Sequence, residues 1–239
     1  NGNKYNHGSV AQYFKDMSGN TFSPAFKVYG PVTLSNNQQY YGGSNNSGTD
    51  EKAGQLVIDA LAAIKDSVTD DDINTFSLDR STIEAVYIVY AGLGQNEGGP
   101  ATNVWAKTSS PNASLGGKTV RWYTMSGELS PFKLTSSGTL SIKSGTTPLI
   151  DGIGVACHEF SHALGLPDIY PYNRNAYVDN QEMEYWDLMD GGEYGDNGFY
   201  PTAYTAWEKK QMGWPVVITE LDGDQQVTIA NSTEEGGTA

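Results

Sequence analysis

Two of the chain's three histidines fall four residues apart in the stretch HEFSH, residues 158 to 162, with a glutamate directly after the first. On a helix, positions i and i+4 lie one turn apart on one face, so His158 and His162 can aim both rings at a single atom. Neutral imidazoles suit zinc, and a catalytic zinc takes three protein ligands while a fourth position stays open. Glu159 is placed to accept a proton from a water attacking at such a centre and to pass it to a leaving amine. The reaction class this implies is amide hydrolysis. Coincidence is a poor account of the pattern, because few chains with three histidines would carry it. It also falls on a segment that reads as a helix for other reasons.

Three residues are candidates for the third ligand. His7 is the only other histidine, and in its polar N-terminal stretch it reads as a solvated residue. Asp168 lies six residues beyond His162, and Gly165 between them can take the left-handed conformation that ends a helix and turns the chain back. Pro167 would stiffen that return. Glu182, twenty residues after His162, would serve if a second helix ran from about 175 to 187, but NAYVDNQEMEYW is weak in caps. The spacing favours Asp168 and leaves Glu182 open.

The elements that must position these groups are legible in part. LIDGIGVACHEFSHAL, residues 149 to 164, reads as the helix carrying both histidines, with Asp151 as its cap and Gly165 as its stop. Apolar residues at helical spacing predict another helix over about 50 to 67. IEAVYIVYAG, residues 83 to 92, is dense in β-branched and aromatic residues and reads as a buried central strand. FKVYGPVTL, 26 to 34, reads as a strand broken near Gly30-Pro31. TNVWAK and KTVRWYTM, starting at 102 and 118, read as short strands near a sheet edge, and 132 to 147 as a loop or weak hairpin. A last helix is expected over about 201 to 212, with Pro201 in its first turn and Gly213 and Pro215 past its end. Residues 170 to 186 read as irregular, and the acidic stretch TDDDINTFSLDR, 69 to 80, as a solvated loop.

Bulk properties narrow the partners. The chain has 14 basic and 28 acidic residues and a formal charge of −14, which excludes nucleic acid and anionic membrane surfaces as natural partners. Charged residues at 18% and hydrophobic ones at 38% describe a globular, loop-rich chain. The single cysteine, Cys157, allows no internal disulfide and reads as a buried thiol turned away from the histidines. No apolar run is long enough for a membrane span. The start lacks a signal-peptide layout, and NSTEEGGTA at the end reads as a linker, so both ends look cut from something longer.

His158-Glu159-x-x-His162-x-x-Gly165-x-x-Asp168 resembles the extended zinc motif of the metzincin clan of metallopeptidases, in the variant with aspartate as third ligand. YWDLMDGG, 185 to 192, resembles that clan's methionine turn, which puts Met189 beneath the metal. Together with HEFSHALGLPDIY, these make the chain most similar to the secreted metallopeptidases related to bacterial immune inhibitor A. Looser similarities, among them VYIVYAGLGQNEGG and AYTAWEKKQMGW, extend it across most of the chain.

The resemblance implies an α+β catalytic domain over residues 1–222. Its upper part would reach to about 165 and hold a twisted mixed sheet and the active-site helix; a smaller C-terminal part would begin at about 166. Residues 223–239 would begin a linker or a following domain. It implies a zinc-dependent endopeptidase with His158, His162 and Asp168 as ligands, Glu159 as base and Met189 as floor. The substrate would be a polypeptide paired with an edge strand, for which TNVWAK is the candidate. Secretion and an inhibitory pro-segment outside this chain are implied too, with calcium as a candidate second cofactor. Two departures stand out. The position two beyond the turn methionine, where several relatives carry a tyrosine, is Gly191, leaving Tyr194, Tyr200 and Tyr204 as candidates. Residues 69–80 have the acids of a calcium stretch but none of its glycines. Two other readings stay open: a zinc domain that is catalytically silent or narrowly specific, and a glutamate-type zinc hydrolase.

Overall fold

The structure, a computed structural model, describes residues 5, 7–43, 49–172, 183–224 and 226–228. The described residues pack as two compact units, one drawn from Lys27–Asp151 and the other from Lys4–Phe26 and Gly152–Ala239. Helices and a mixed sheet make the chain α+β. No described helix is long and apolar enough to cross a membrane.

The first unit is built on one long strand. β1 (Thr82–Leu93) runs parallel to β4 (Lys118–Leu134), while β2 (Lys107–Ser109), β3 (Ser114–Leu115), β5 (Leu140–Ser141) and β6 (Thr147–Ile150) pair with β4 antiparallel. The central strand is therefore β4 and not the segment 83–92. Among the described strands β1 pairs only with β4, its other side making just an isolated bridge from Ile83 to Ser77, and Val89 is 63% exposed. High β-propensity there reports a strand and says nothing of its rank in the sheet. The expected loop or hairpin at 132–147 is the far end of β4 turning back through β5 and β6.

Two strand readings at this unit's margins also fail. Residues 26–34 form no regular strand, and Gly30-Pro31 is cis. TNVWAK reaches strand conformation only at Lys107. Its Val104 carbonyl already accepts from the Tyr90 hydroxyl and from Gln95 N–H, both at 2.9 Å. The helix expected over 50–67 is α3 (Ala53–Ile64) with a tight extra turn to Ser67, preceded by the short α2 (Gln38–Tyr41). Leu56, Val57 and Leu61 of α3 are buried with Ile83, Tyr90, Val120, Tyr123 and Met125. Each such side chain contributes about 1.5–3 kcal/mol of burial.

The acidic stretch is not a loop. Residues Asp70–Thr75 form α4, opened by a capping box in which the Thr69 hydroxyl and the Asp72 carboxylate satisfy each other's backbone N–H. Three aspartates in its first turn face the positive end of the helix dipole, which is why an acid-rich run folds here. Asp72 is also ion-paired to Lys27, so it is spoken for without calcium.

The second unit gathers α1 (Val10–Met17), α5 (Gly154–Ala163), α6 (Ala206–Gln211) and two 3₁₀ segments, Glu184–Trp186 and Gly191–Gly198, the second kinked at Gly195 to Asn197. Its core joins Tyr13, Phe14, Ile153, Cys157, Leu166, Leu188, Met189 and Tyr204. α5 starts later than expected, and Ile153 rather than Asp151 precedes it without a side-chain cap. The reason for DGIG is close packing. A Cβ on Gly152 would stand 1.9 Å from the Gly198 carbonyl, and one on Gly154 1.8 Å from the Glu193 carbonyl. α6 also starts late, at a capping box of Thr205 and Glu208, leaving Pro201 outside the helix. Gly213, at φ +70°, follows its end.

Candidate metal centre

α5 carries His158 and His162 on one face, their rings edge to face with centroids 4.9 Å apart. Gly165 ends the helix at φ +101°, a conformation that costs only glycine nothing. The chain then turns back, and Asp168 Oδ1 lies 3.2 Å from Nε2 of each histidine. One atom from each residue lies within 4.8 Å of the other two, and this is the one such group among the described residues. His7 stands apart, its ring against Tyr200 and Nε2 3.8 Å from Asp196. Glu182 lies outside the described residues.

Backbone carbonyls fix both imidazoles. His158 Nδ1 lies 2.8 Å from the Leu188 carbonyl, and His162 Nδ1 lies 2.7 Å from the Leu166 carbonyl. A carbonyl only accepts, so each Nδ1 carries a hydrogen, and in its neutral form each ring would turn a bare Nε2 towards Asp168. Asp168 Oδ1 is buried and accepts no hydrogen bond, while its Oδ2 accepts from the Tyr172 hydroxyl at 2.9 Å. Two nitrogen lone pairs and an anionic oxygen repel one another unless positive charge sits between them. Two imidazoles and one carboxylate, the one such group among the described residues, are a donor set that fits zinc with a position to spare.

The electrostatics agree. Burial opposes charging His158, but Glu193, Asp168, Glu159 and the Leu188 carbonyl outweigh it and raise its pKa to about 10. His162 is raised against burial by Asp168 and the Leu166 carbonyl. Burial would raise Asp168, yet the two imidazoles hold it well below the usual carboxylate range. All three shifts report one fact: positive charge is stabilised where these atoms meet.

The turn at residues 187–190 braces this arrangement from two sides. Asp187 Oδ1 accepts from the Met189 N–H at 2.7 Å and closes the turn. The Leu188 carbonyl holds His158, and the Met189 carbonyl accepts from the N–H of Ile169, beside Asp168, at 2.9 Å. The Met189 side chain is fully buried in the core cluster that includes Cys157. Burial pushes the Cys157 thiol well up, which makes it unreactive. Glu159, next to His158, is buried too.

Several neighbours were not legible in the sequence. Leu166 and Leu188 act through backbone carbonyls, which leave no residue signal. Glu193 lies with Oε2 3.7 Å from His158 Nδ1, brought there by a 3₁₀ segment that GGEYGDNG does not announce. Asp187 is buried, 2% exposed. Of the tyrosine candidates, Tyr204 is buried against the Ser161 hydroxyl and Tyr200 is exposed beside His7. Tyr194 pairs with Glu193.

Residues 1–215 match the family described as immune inhibitor A peptidase M6, catalytic domain. The chain is 30% identical over 223 residues to the pre-pro-metalloprotease PrtV of Vibrio cholerae serotype O1, strain M66-2, over 84% of this chain and 23% of that protein. It is 26% identical over 226 residues to immune inhibitor A of Bacillus thuringiensis subsp. alesti, over 83% of this chain and 31% of that protein. The chain thus spans less than a third of the length of these curated relatives. On the extent of the family match, this chain belongs to the immune inhibitor A family of M6 metallopeptidases.

Proposed function

We propose that this chain is a zinc-dependent endopeptidase of metzincin type. Residues 1–222 would be its catalytic domain, with His158, His162 and Asp168 the ligands and Met189 the floor. The observation that carries this reading is the meeting of both Nε2 atoms, each at 3.2 Å, with one buried oxygen of Asp168. Zinc bound there would polarise the scissile carbonyl and make a water acidic enough to attack it. Glu159 takes the proton from that water and delivers it to the leaving nitrogen. The Leu166 and Leu188 carbonyls keep the imidazoles in the ligating tautomer, and the Tyr172 hydroxyl orients Asp168 through its outer oxygen.

A polypeptide is the substrate class this chemistry serves. Secretion and an inhibitory pro-segment belong to the same reading: the Vibrio cholerae relative is named a pre-pro-metalloprotease, a name that denotes a precursor. Calcium gains no support from the acidic stretch, which is a capped helix.

The test is cleavage of a denatured generic protein by wild type and by Glu159→Ala, with zinc quantified in both. The reading requires one zinc in each and a rate loss of about 10²–10⁴ in the variant. Zinc in both with no cleavage by wild type would instead mark a silent or narrowly specific zinc domain.

A further inference from the structure

Glu208 is a carboxyl in a place where burial should disfavour one. It is fully buried on α6, and its Oε2 accepts from the Thr205 N–H at 2.7 Å and the Thr205 hydroxyl at 2.9 Å. Oε1 is buried with no donor. The group it meets is the carboxyl of Asp187, also buried, whose Oδ1 holds the Met189 N–H. Two carboxylate oxygens can meet out of water only through a proton.

Among the described residues, the titratable neighbours of the pair have their protons engaged elsewhere or carry charge of their own. Tyr13 and Tyr204 face both acids, Asp190 and His158 act on Asp187, and Lys209 adjoins Glu208. The Tyr13 hydroxyl donates to the Thr202 carbonyl at 2.6 Å. The Ser161 hydroxyl donates to the Cys157 carbonyl at 2.6 Å, so the Tyr204 hydroxyl donates to Ser161. Both phenolic protons are therefore in use. Burial and the neighbouring charge of Asp187 raise the Glu208 carboxyl to about 7, and burial raises Asp187 as well.

We propose that Glu208 and Asp187 share one proton and together act as a positioning pair for the metal site. Glu208, held by the Thr205 cap, fixes the Asp187 carboxyl; Asp187 fixes the Met189 N–H; and the turn so held presents the Leu188 carbonyl to His158. Loss of the proton puts a second negative charge into a buried site and pushes the pair apart. The held turn thus belongs to the protonated pair and is lost as pH rises. This rests on His158 being a ligand, as proposed above.

The experiment uses the zinc-loaded full chain and follows kcat and KM on a denatured generic protein against pH. Glu208→Gln carries a permanent donor in place of the proton. It should move the alkaline limb of the kcat profile up by at least about one pH unit. Glu208→Leu removes the link and should lower kcat about tenfold or more, with a smaller change in KM. A Glu208→Gln profile that superimposes on wild type overturns the pair. So does equal loss in both variants at every pH.

Infrared difference spectra of the wild type supply a readout independent of turnover and of variant folding. A protonated-carboxyl band present near about pH 6 and lost by about pH 9 supports the shared proton, and its absence at the lower pH overturns it. Zinc content and wild-type cleavage test the peptidase reading separately. An active wild type with an unmoved limb therefore sinks the pair alone.

Discussion

His158 Nδ1 and the carbonyl of Leu188 lie 2.8 Å apart, joining α5 to a turn thirty residues later. A second bond, from Ile169 N–H to the Met189 carbonyl at 2.9 Å, ties the same turn to the segment holding Asp168. One turn therefore sets two of the three candidate ligands, and its own geometry depends on Asp187 accepting the Met189 N–H. Such outer partners fix tautomer and ring orientation, and altering them commonly costs about 10–100-fold in metal affinity or activity.

The ligand set divides on one comparison. Asp168 Oδ1 faces both Nε2 atoms, so Asp168→Ala should lower zinc affinity about 100-fold or more, whereas Glu182→Ala should leave one zinc bound. Zinc content after exchange against a graded chelator decides it. Loss of metal in the glutamate variant alone removes Asp168 from the site.

Two glycines near the candidate metal centre do different work, and their replacements should fail differently. Gly154→Ala puts a Cβ 1.8 Å from the Glu193 carbonyl, a clash with backbone that only separation of α5 from the Gly191–Gly198 segment relieves. Loss of more than about 2 kcal/mol in denaturant unfolding is expected, together with loss of zinc. At Gly165 a Cβ meets nothing within 4 Å, so Gly165→Ala suffers only the strain of φ +101°. That cost is about 1–2 kcal/mol. Because the turn to Asp168 begins there, weaker zinc binding should accompany it.

These contrasts mark what the sequence can and cannot carry. The placing of His158 and His162 on one helix face and the stop at Gly165 were legible because i, i+4 spacing and helix termination are local rules. The acidic helix at 70–75 was missed because negative charge was read as solvation when it complements a helix N-terminus. The rank of β1 was misread for another reason: propensity describes a strand's own residues, whereas centrality depends on what lies beside it. The Leu166 and Leu188 carbonyls and the buried Asp187–Glu208 pair are tertiary facts, assembled by turns that leave no residue pattern.

Acid should loosen the first unit through Asp72. Lys27, together with the Thr69 hydroxyl and N–H, holds that carboxyl well below its ordinary range. A depressed folded-state value stabilises the fold above the unfolded pKa of about 4 and ceases to do so as pH falls below it. Lys27→Met should therefore flatten the acid limb of a stability–pH curve measured by urea unfolding. An unchanged limb would mean that the pair contributes nothing.

Metal removal should reverse the sign of part of the protein's alkaline behaviour. Without metal, positive charge at the site is supplied by protons, which is why the His158 pKa is raised to about 10 in the bare fold. A raised value stabilises the folded state fully below the unfolded pKa of about 6.5, and that stabilisation is lost as pH climbs through the folded one. Chelated protein should accordingly lose thermal stability between about pH 7 and pH 10, beyond whatever the Asp187–Glu208 pair contributes in both forms. Zinc-loaded protein replaces those protons with a cation that does not titrate there. Its stability margin over the chelated form should widen with pH, and zinc affinity should rise about tenfold per pH unit for each proton displaced. Paired melting curves, with and without chelator across that range, measure the margin directly. A margin that stays constant would mean that the metal, if bound at all, does not displace protons from His158 and His162.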